Sequence, residues 1–171
     1  MYIGIDVGGT NLRAGVTDEN GALLARRQIP LEFRDPESFA ALLAGLARSV
    51  MEAAGIGRAV SVGIGVPGAV RGGEVLYTAN IPMGNVPLAD LFQKSLDLPV
   101  VLANDADCAA LGEFYCGSGR GCDDFAMITL GTGIGGGFVL NRRLLQNVSV
   151  GEVGHMVVEP GGALCECGRR G

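Results

Sequence analysis

The chain is short of the residues that several common reaction signatures need. Among 171 residues there is one histidine, His155, one lysine, Lys94, and no tryptophan. A Walker A phosphate loop needs a Gly-Lys pair, and Lys94 follows Gln93, so that loop is excluded. No Gly-x-Ser-x-Gly elbow of a serine hydrolase is present. The start Met1-Tyr-Ile-Gly-Ile-Asp6 has no basic region and no apolar run of signal-peptide length. No stretch of about 18 apolar residues exists to span a membrane. Lys and Arg total 13 against 18 Asp and Glu, a net charge of -5, which matches neither nucleic acid nor an anionic membrane. The five cysteines are an odd set, and Cys108, Cys116 and Cys122 cluster around one predicted helix. Free thiols in a reducing cytoplasm fit this better than a disulfide framework.

What the chain does have is apolar residues (48%) and glycine (29 residues, with no collagen-like period). The glycines are expected at turns and close backbone approaches. Strands are predicted at Tyr2–Val7, Leu12–Thr17 and Ala22–Pro30, joined by Gly8-Gly9-Thr10-Asn11 and by a hairpin turn at Asp18-Glu-Asn-Gly21. Asp35-Pro36-Glu37 starts a helix, and Phe39, Leu42, Leu43, Leu46, Val50 and Met51 continue it at helical spacing until Gly55. Further strands are predicted at Ala59–Val66, Glu74–Thr78 and Leu98–Ala103, and helices at Pro87–Leu96 and Asp105–Cys116. Gly117-Ser-Gly-Arg-Gly121 reads as a linker. After it the opening meander repeats: strand Asp124–Leu130, glycine turn, strand Gly136–Leu140, strand Leu144–Val148. This echo predicts two domains of similar topology, 1–118 and 119–171. The second has no long helix for its sheet and is expected to be cut short.

Three stretches carry the chemistry: Asp6-Val-Gly-Gly-Thr10-Asn11, Asn104-Asp105, and Leu130-Gly-Thr-Gly-Ile-Gly-Gly-Gly137. A phosphate-cradling turn between strands needs glycines, because a side chain would hold the backbone amides away from the oxygens. Thr10 and Thr132 add hydroxyl donors, and Asp6 is placed to hold Mg²⁺ through water. Gly131-Thr-Gly133-Ile-Gly-Gly136 satisfies the dinucleotide pattern G-x-G-x-x-G, but a strand-like Gly137-Phe-Val-Leu140 follows where that pattern demands a helix. Asp105 comes just past a strand, at a helix N-terminus, which favours an ionised carboxylate able to take a hydroxyl proton. Alone it reads as a helix cap; between two phosphate turns it reads as a base. Asp107 reads as solvated or capping, and Glu113 as an exposed helix residue. Two phosphate turns flanking a carboxylate point to phosphoryl transfer from ATP to a hydroxyl.

These motifs resemble the ROK family of sugar kinases and repressors, within the actin-like ATPase superfamily. The resemblance also takes in Gly63-x-Gly-x-Pro-Gly68-x-Val70, Ala109-Ala-Leu-Gly-Glu113, Gly151-Glu152-Val-Gly-His155 and Cys165-Glu-Cys167-Gly-Arg-Arg-Gly171. It implies an α/β, actin-like ATPase (ribonuclease H-like) domain with a mixed sheet, followed by an incomplete second domain of similar topology. Asp105 would be the catalytic base. Gly68, Asn80, Asn104, Glu152 and His155 would bind the sugar together with Asp105. Asp6, Gly8, Gly9, Thr10, Asn11, Gly131, Thr132, Gly133, Gly135 and Gly136 would hold MgATP. His155, Cys165 and Cys167 would hold a structural zinc, whose fourth ligand in the family lies beyond residue 171. Read alone, Cys-x-Cys with a histidine ten residues upstream leaves zinc and free thiols both open. The partner implied is a hexose or N-acetylhexosamine, with no nucleic acid or membrane, in a cytoplasmic homodimer. Two departures stand out: Asp107 where the family often has Asn, and no aromatic residue in Ile81–Leu88.

Two other functions are weighed against the kinase. A sugar-responsive regulator of the same family would carry a helix-turn-helix before the first phosphate turn, and the first strand already starts at Tyr2. A non-catalytic sugar-binding protein would have no use for Asp105 and both phosphate turns.

Overall fold

Alternation of apolar residues along the first strands dictates a single buried face. In β1 (Tyr2–Val7), Ile3, Ile5 and Val7 point inward while Tyr2, Gly4 and Asp6 point outward. In β2 (Asn11–Thr17), Leu12, Ala14 and Val16 are the inward set. The two strands are antiparallel, with Asp6 opposite Arg13 and Val7 opposite Leu12. β3 (Leu23–Pro30) pairs with β2 after the expected hairpin. There Asp18 Oδ1 accepts from the Asn20 and Ala22 amides at 2.9 and 2.8 Å.

The computed structural model describes residues 1–78, 81–131, 133–145, 151–165 and 167–171. They fall into two compact units, Met1–Asp105 and Ala106–Gly171. In the first, α1 (Pro36–Ala53) starts where the sequence predicts: Asp35 accepts from the Ser38 amide at 2.7 Å, and Pro36 occupies the first turn. Phe39, Leu43, Leu46 and Val50 are its buried stripe. β4 (Val62–Val66), β5 (Ala69–Arg71), β6 (Glu74–Tyr77), α2 (Leu88–Ser95) and β7 (Val100–Asn104) follow. The main sheet runs in the order β3-β2-β1-β4-β7. β1, β4 and β7 are parallel. Leu12, Phe39, Leu43, Ile64 and Phe92 fill the core, each fully buried.

Parallel strands end on the same edge of a sheet, and that is where α/β folds bind ligands. The register puts Asp6 beside Gly65, Gly65 beside Ala103, and Val66 beside Asn104. The Gly8 turn, the Pro67-Gly68 exit and Asn104-Asp105 therefore leave from one edge of the first unit. β5 and β6 form a small hairpin beyond β4, turning at Gly72 and Gly73 with φ 57° and 85°. β5 has three residues, too few to show a period in the sequence.

In the second unit β8 (Phe125–Leu130), β9 (Ile134–Leu140) and β10 (Arg143–Leu144) form an antiparallel meander, the echo of β1-β2-β3 that the sequence suggests. The sequence predicts the third strand at Leu144–Val148; β10 ends at Leu144, Leu145 lies past it, and 146–148 lie outside the described residues. Helix α3 (Asp105–Cys116) buries Ala106, Ala110 and Phe114 along one side. These three residues belong to the second compact unit, whose sheet therefore packs against α3. A side chain at Gly137 of β9 would meet Ala110 Cβ at 2.5 Å and the Ala106 carbonyl at 2.9 Å. Phe114 also lies 6.3 Å from the Phe125 ring and 5.6 Å beneath the Arg142 guanidinium.

Residues 117–121, expected as a linker, are a hydrogen-bonded turn. The Gly117 and Gly119 amides bond to the Glu113 carbonyl at 3.0 and 2.9 Å. Glu113 is half-buried rather than exposed, and its carboxylate accepts from the Ser118 amide and hydroxyl, both at 2.9 Å. A 3-10 turn at Val153–His155 follows, and no helix among the described residues is long and apolar enough to cross a membrane.

Candidate active site

The first glycine turn is closed by its own backbone. The Gly8 amide donates to the Asn11 carbonyl at 3.0 Å, and a Cβ at Gly8 would lie 2.9 Å from that oxygen. The Thr10 carbonyl accepts from Leu31, tying the turn to the end of β3 at 2.9 Å. Gly9 and Thr10 are exposed, and Asn11 Nδ2 donates to the Thr10 hydroxyl at 3.0 Å. Asp6 is not alone beside this turn. Its carboxylate pairs with Arg13 at 3.2 Å, and Arg13 in turn donates to Gln28 at 3.2 Å. Sequence reading missed Arg13. The signal was there: once the chain folds back at Gly8–Thr10, the register sets Asp6 opposite Arg13.

Asn104 ends β7, and its Nδ2 donates to the Gly68 carbonyl at 3.1 Å. Gly68 has φ 129°, and a Cβ there would overlap the Tyr77 carbonyl, so the position admits only glycine. Asp105, the next residue after Asn104, is exposed and opens α3; Asp107 is half-buried. Asn80, the remaining expected sugar ligand of this unit, lies outside the described residues.

In the second unit the glycines of the third motif divide by role. Gly131 and Gly133 sit in the β8–β9 turn, where the Gly131 amide bonds to the Gly133 carbonyl at 2.9 Å. A Cβ at either position would meet nothing within 4 Å. Thr132 lies outside the described residues. Gly135 and Gly136 stand within β9. A side chain on Gly135 would meet Ala106 Cβ at 3.3 Å, and one on Gly136 would meet Val153 Cγ2 at 2.9 Å. Their bareness lets α3 approach one face of β9 and the 3-10 turn the other. A Cβ at Gly154 would likewise overlap the Ile134 carbonyl. The glycine run thus seats the segment carrying Glu152 and His155 against the strand.

His155 lies between two partners. Its Nδ1 is 3.4 Å from Cys165 Sγ, and its Nε2 is 3.5 Å from Glu152 Oε2. The ligand atoms of His155, Cys165 and Cys167 all lie within 4.8 Å of one another. Tetrahedral zinc, with Zn–S about 2.3 Å and Zn–N about 2.0 Å, sets such atoms about 3.5–3.8 Å apart, so the donor set fits. The Arg169 amide donates to Cys167 and holds its thiol below the ordinary range; Cys165 and His155 act the same way. A tight turn, with the Gly168 amide on the Cys165 carbonyl at 2.9 Å, sets the two cysteines on one loop.

Known proteins agree with this architecture. Over 184 aligned residues the chain is 36% identical to a glucokinase of Halalkalibacterium halodurans, covering 99% of this chain and 54% of that protein. It is 36% identical to an N-acetylmannosamine kinase of Yersinia pseudotuberculosis, covering 99% and 58%. The crystal structure of a ROK family glucokinase from Streptomyces griseus, with glucose and AMPPNP, matches with TM-score 0.86 and 38% identity, over 99% of this chain and 55% of that one. A ROK family transcriptional regulator matches with TM-score 0.85 and 29% identity, over 99% and 44%. The fold is thus the actin-like ATPase type, and the chain spans about half the length of the curated relatives it matches. With the ROK family profile matching residues 2–171, the chain belongs to the ROK family.

Proposed function

We propose that the full protein is an ATP-dependent sugar kinase, moving the γ-phosphoryl group of MgATP to the 6-hydroxyl of a hexose or N-acetylhexosamine. The observation that carries this reading is the shared sheet edge in the first unit. The Gly8–Asn11 turn, Gly68, Asn104 and Asp105 all leave from the C-terminal ends of β1, β4 and β7.

In this reading Asp105 accepts the hydroxyl proton as the sugar oxygen attacks the γ-phosphorus, and ADP departs. Asn104, Gly68, Asn80, Glu152 and His155 bind the sugar and hold the reacting hydroxyl in line. Gly8, Gly9, Thr10 and Asn11, with Gly131, Thr132, Gly133, Gly135 and Gly136, receive the nucleotide; amides of the two turns donate to phosphate oxygens. Gly135 contributes chiefly by admitting α3 to one face of β9, and Gly136 by seating the 3-10 turn on the other. Asp6, paired with Arg13, would be the carboxylate that holds Mg²⁺, which would neutralise phosphate charge. His155, Cys165 and Cys167 hold zinc, which supplies rigidity to the loop carrying Glu152. In this reading the domains of the full protein run 1–118 and from 119 onward, a boundary one helix later than the Asp105/Ala106 division between the compact units. The protein works in the cytoplasm as a homodimer, with no nucleic acid or membrane partner.

The test is ADP release from MgATP across hexoses and N-acetylhexosamines, using this chain extended to the length of its relatives. Sugar-dependent release is expected. Sugar binding without any release would favour a regulator or a binding protein instead.

A further inference from the structure

We infer that Asn104 is a positioning residue, a latch that fixes the β5–β6 hairpin to the strand end carrying Asp105. The inference rests on the sugar-kinase reading for its functional consequence, and on geometry alone for the latch. Asn104 Nδ2 donates to the Gly68 carbonyl at 3.1 Å across 36 residues of sequence. Gly68 holds φ 129°, and its Cα faces the Tyr77 carbonyl so closely that no Cβ fits. The buried Thr78 that follows Tyr77 donates its hydroxyl to the Ile81 carbonyl. One amide of Asn104 thus ties the end of β7 to the exit of β4, and that exit bears on the end of β6.

The chemistry of the latch is specific to a donor. A carbonyl accepts only from N–H or O–H, so an aspartate carboxylate at position 104 would repel the Gly68 oxygen where the amide attracts it. The protonated carboxylic acid could donate again. An alanine would leave the carbonyl without this partner at any pH. A residue that only accepted hydrogen bonds from sugar hydroxyls would tolerate aspartate well.

The first test uses this chain itself. Amide hydrogen exchange is followed at residues 69–77 in wild type, Asn104→Ala and Asn104→Asp, with β8 and β9 as reference. Exchange faster by about two- to tenfold, confined to the hairpin, is expected, the range one neutral hydrogen bond contributes. Unchanged exchange, or equal acceleration in β8 and β9, would overturn the latch. The second test measures sugar affinity against pH in the extended protein. Asn104→Asp should bind as weakly as Asn104→Ala at pH 7 and recover relative to it as pH falls into the carboxylic range. Wild-type-like binding by Asn104→Asp at pH 7, or no recovery, would refute the donor role. If the wild type binds no sugar at all, the kinase reading fails while the exchange result still decides the latch.

Discussion

The imidazole of His155 places its Nε2 3.5 Å from the Glu152 carboxylate while its other nitrogen faces Cys165 at 3.4 Å. One ring therefore joins a residue expected at the sugar to the cysteine loop. If Nδ1 ligates zinc, Nε2 carries the proton, and the Glu152 carboxylate at 3.5 Å is the neighbour that could orient the ring.

Zinc binding by the extended protein, which adds the fourth ligand the resemblance implies, is the expectation from that donor set. The extended wild type should retain zinc through gel filtration, and its Cys165→Ser or Cys167→Ser variants should not. Glu152→Gln should weaken zinc by about 10–100-fold. Because the thiols must deprotonate, affinity should fall as pH falls. Metal content by mass spectrometry, with a chromogenic chelator for affinity, decides. Equal zinc in wild type and both serine variants would refute the site.

Asp105→Ala in the extended protein should lower kcat by about 10²–10⁴, the range of a general base, with a smaller effect on sugar affinity. Steady-state kinetics beside calorimetric sugar binding separate the two. Turnover near that of wild type would remove Asp105 from its role.

Gly137→Ala and Gly131→Ala should behave oppositely. At Gly137 the new methyl meets Ala110 and the Ala106 carbonyl, a clash worth about 1–3 kcal/mol. At Gly131 it meets open space. Urea unfolding should show a lower midpoint for Gly137→Ala alone, and Gly131→Ala should instead weaken nucleotide binding. Equal stability of the two variants would contradict the packing described.

Glu113 gives a pH signature. Hydrogen bonds from the Ser118 amide and hydroxyl hold its carboxyl below the usual range. A depressed carboxyl contributes stability that is fully present above its unfolded value and is lost as pH falls through the folded one. Wild type should therefore exceed Glu113→Gln in Tm at pH 7 and lose that margin on acidification below the ordinary glutamate range. A margin that stays constant with pH would refute the assignment.

Much of this was legible in the sequence, for reasons visible residue by residue. The β1 and β2 alternation, the Asp35-Pro36 cap and the Asn20-Gly21 turn are local signals, and each yields the expected element. What escaped depends on contacts distant in sequence. The pairing of α3 with β9 is carried by Ala106, Ala110 and Gly137, residues too small to announce a packed face. Glu113 looked like a surface acid because its partner Ser118 lies beyond the helix end. The Arg13–Asp6 pair needed a strand register, and the Asn104–Gly68 bond needed a sheet order. Gly135 and Gly136 share one motif with Gly131 and Gly133, and only packing separates their roles.

The central claim is that a phosphoryl group moves to a sugar and not to water. Phosphorus NMR of the extended protein with MgATP and its preferred hexose reads this directly. The account predicts ADP and a sugar phosphate ester in equal amounts, with the ester formed about 10²–10⁴-fold more slowly in Asp105→Ala. Inorganic phosphate as the sole new product, or unchanged ATP, would contradict it.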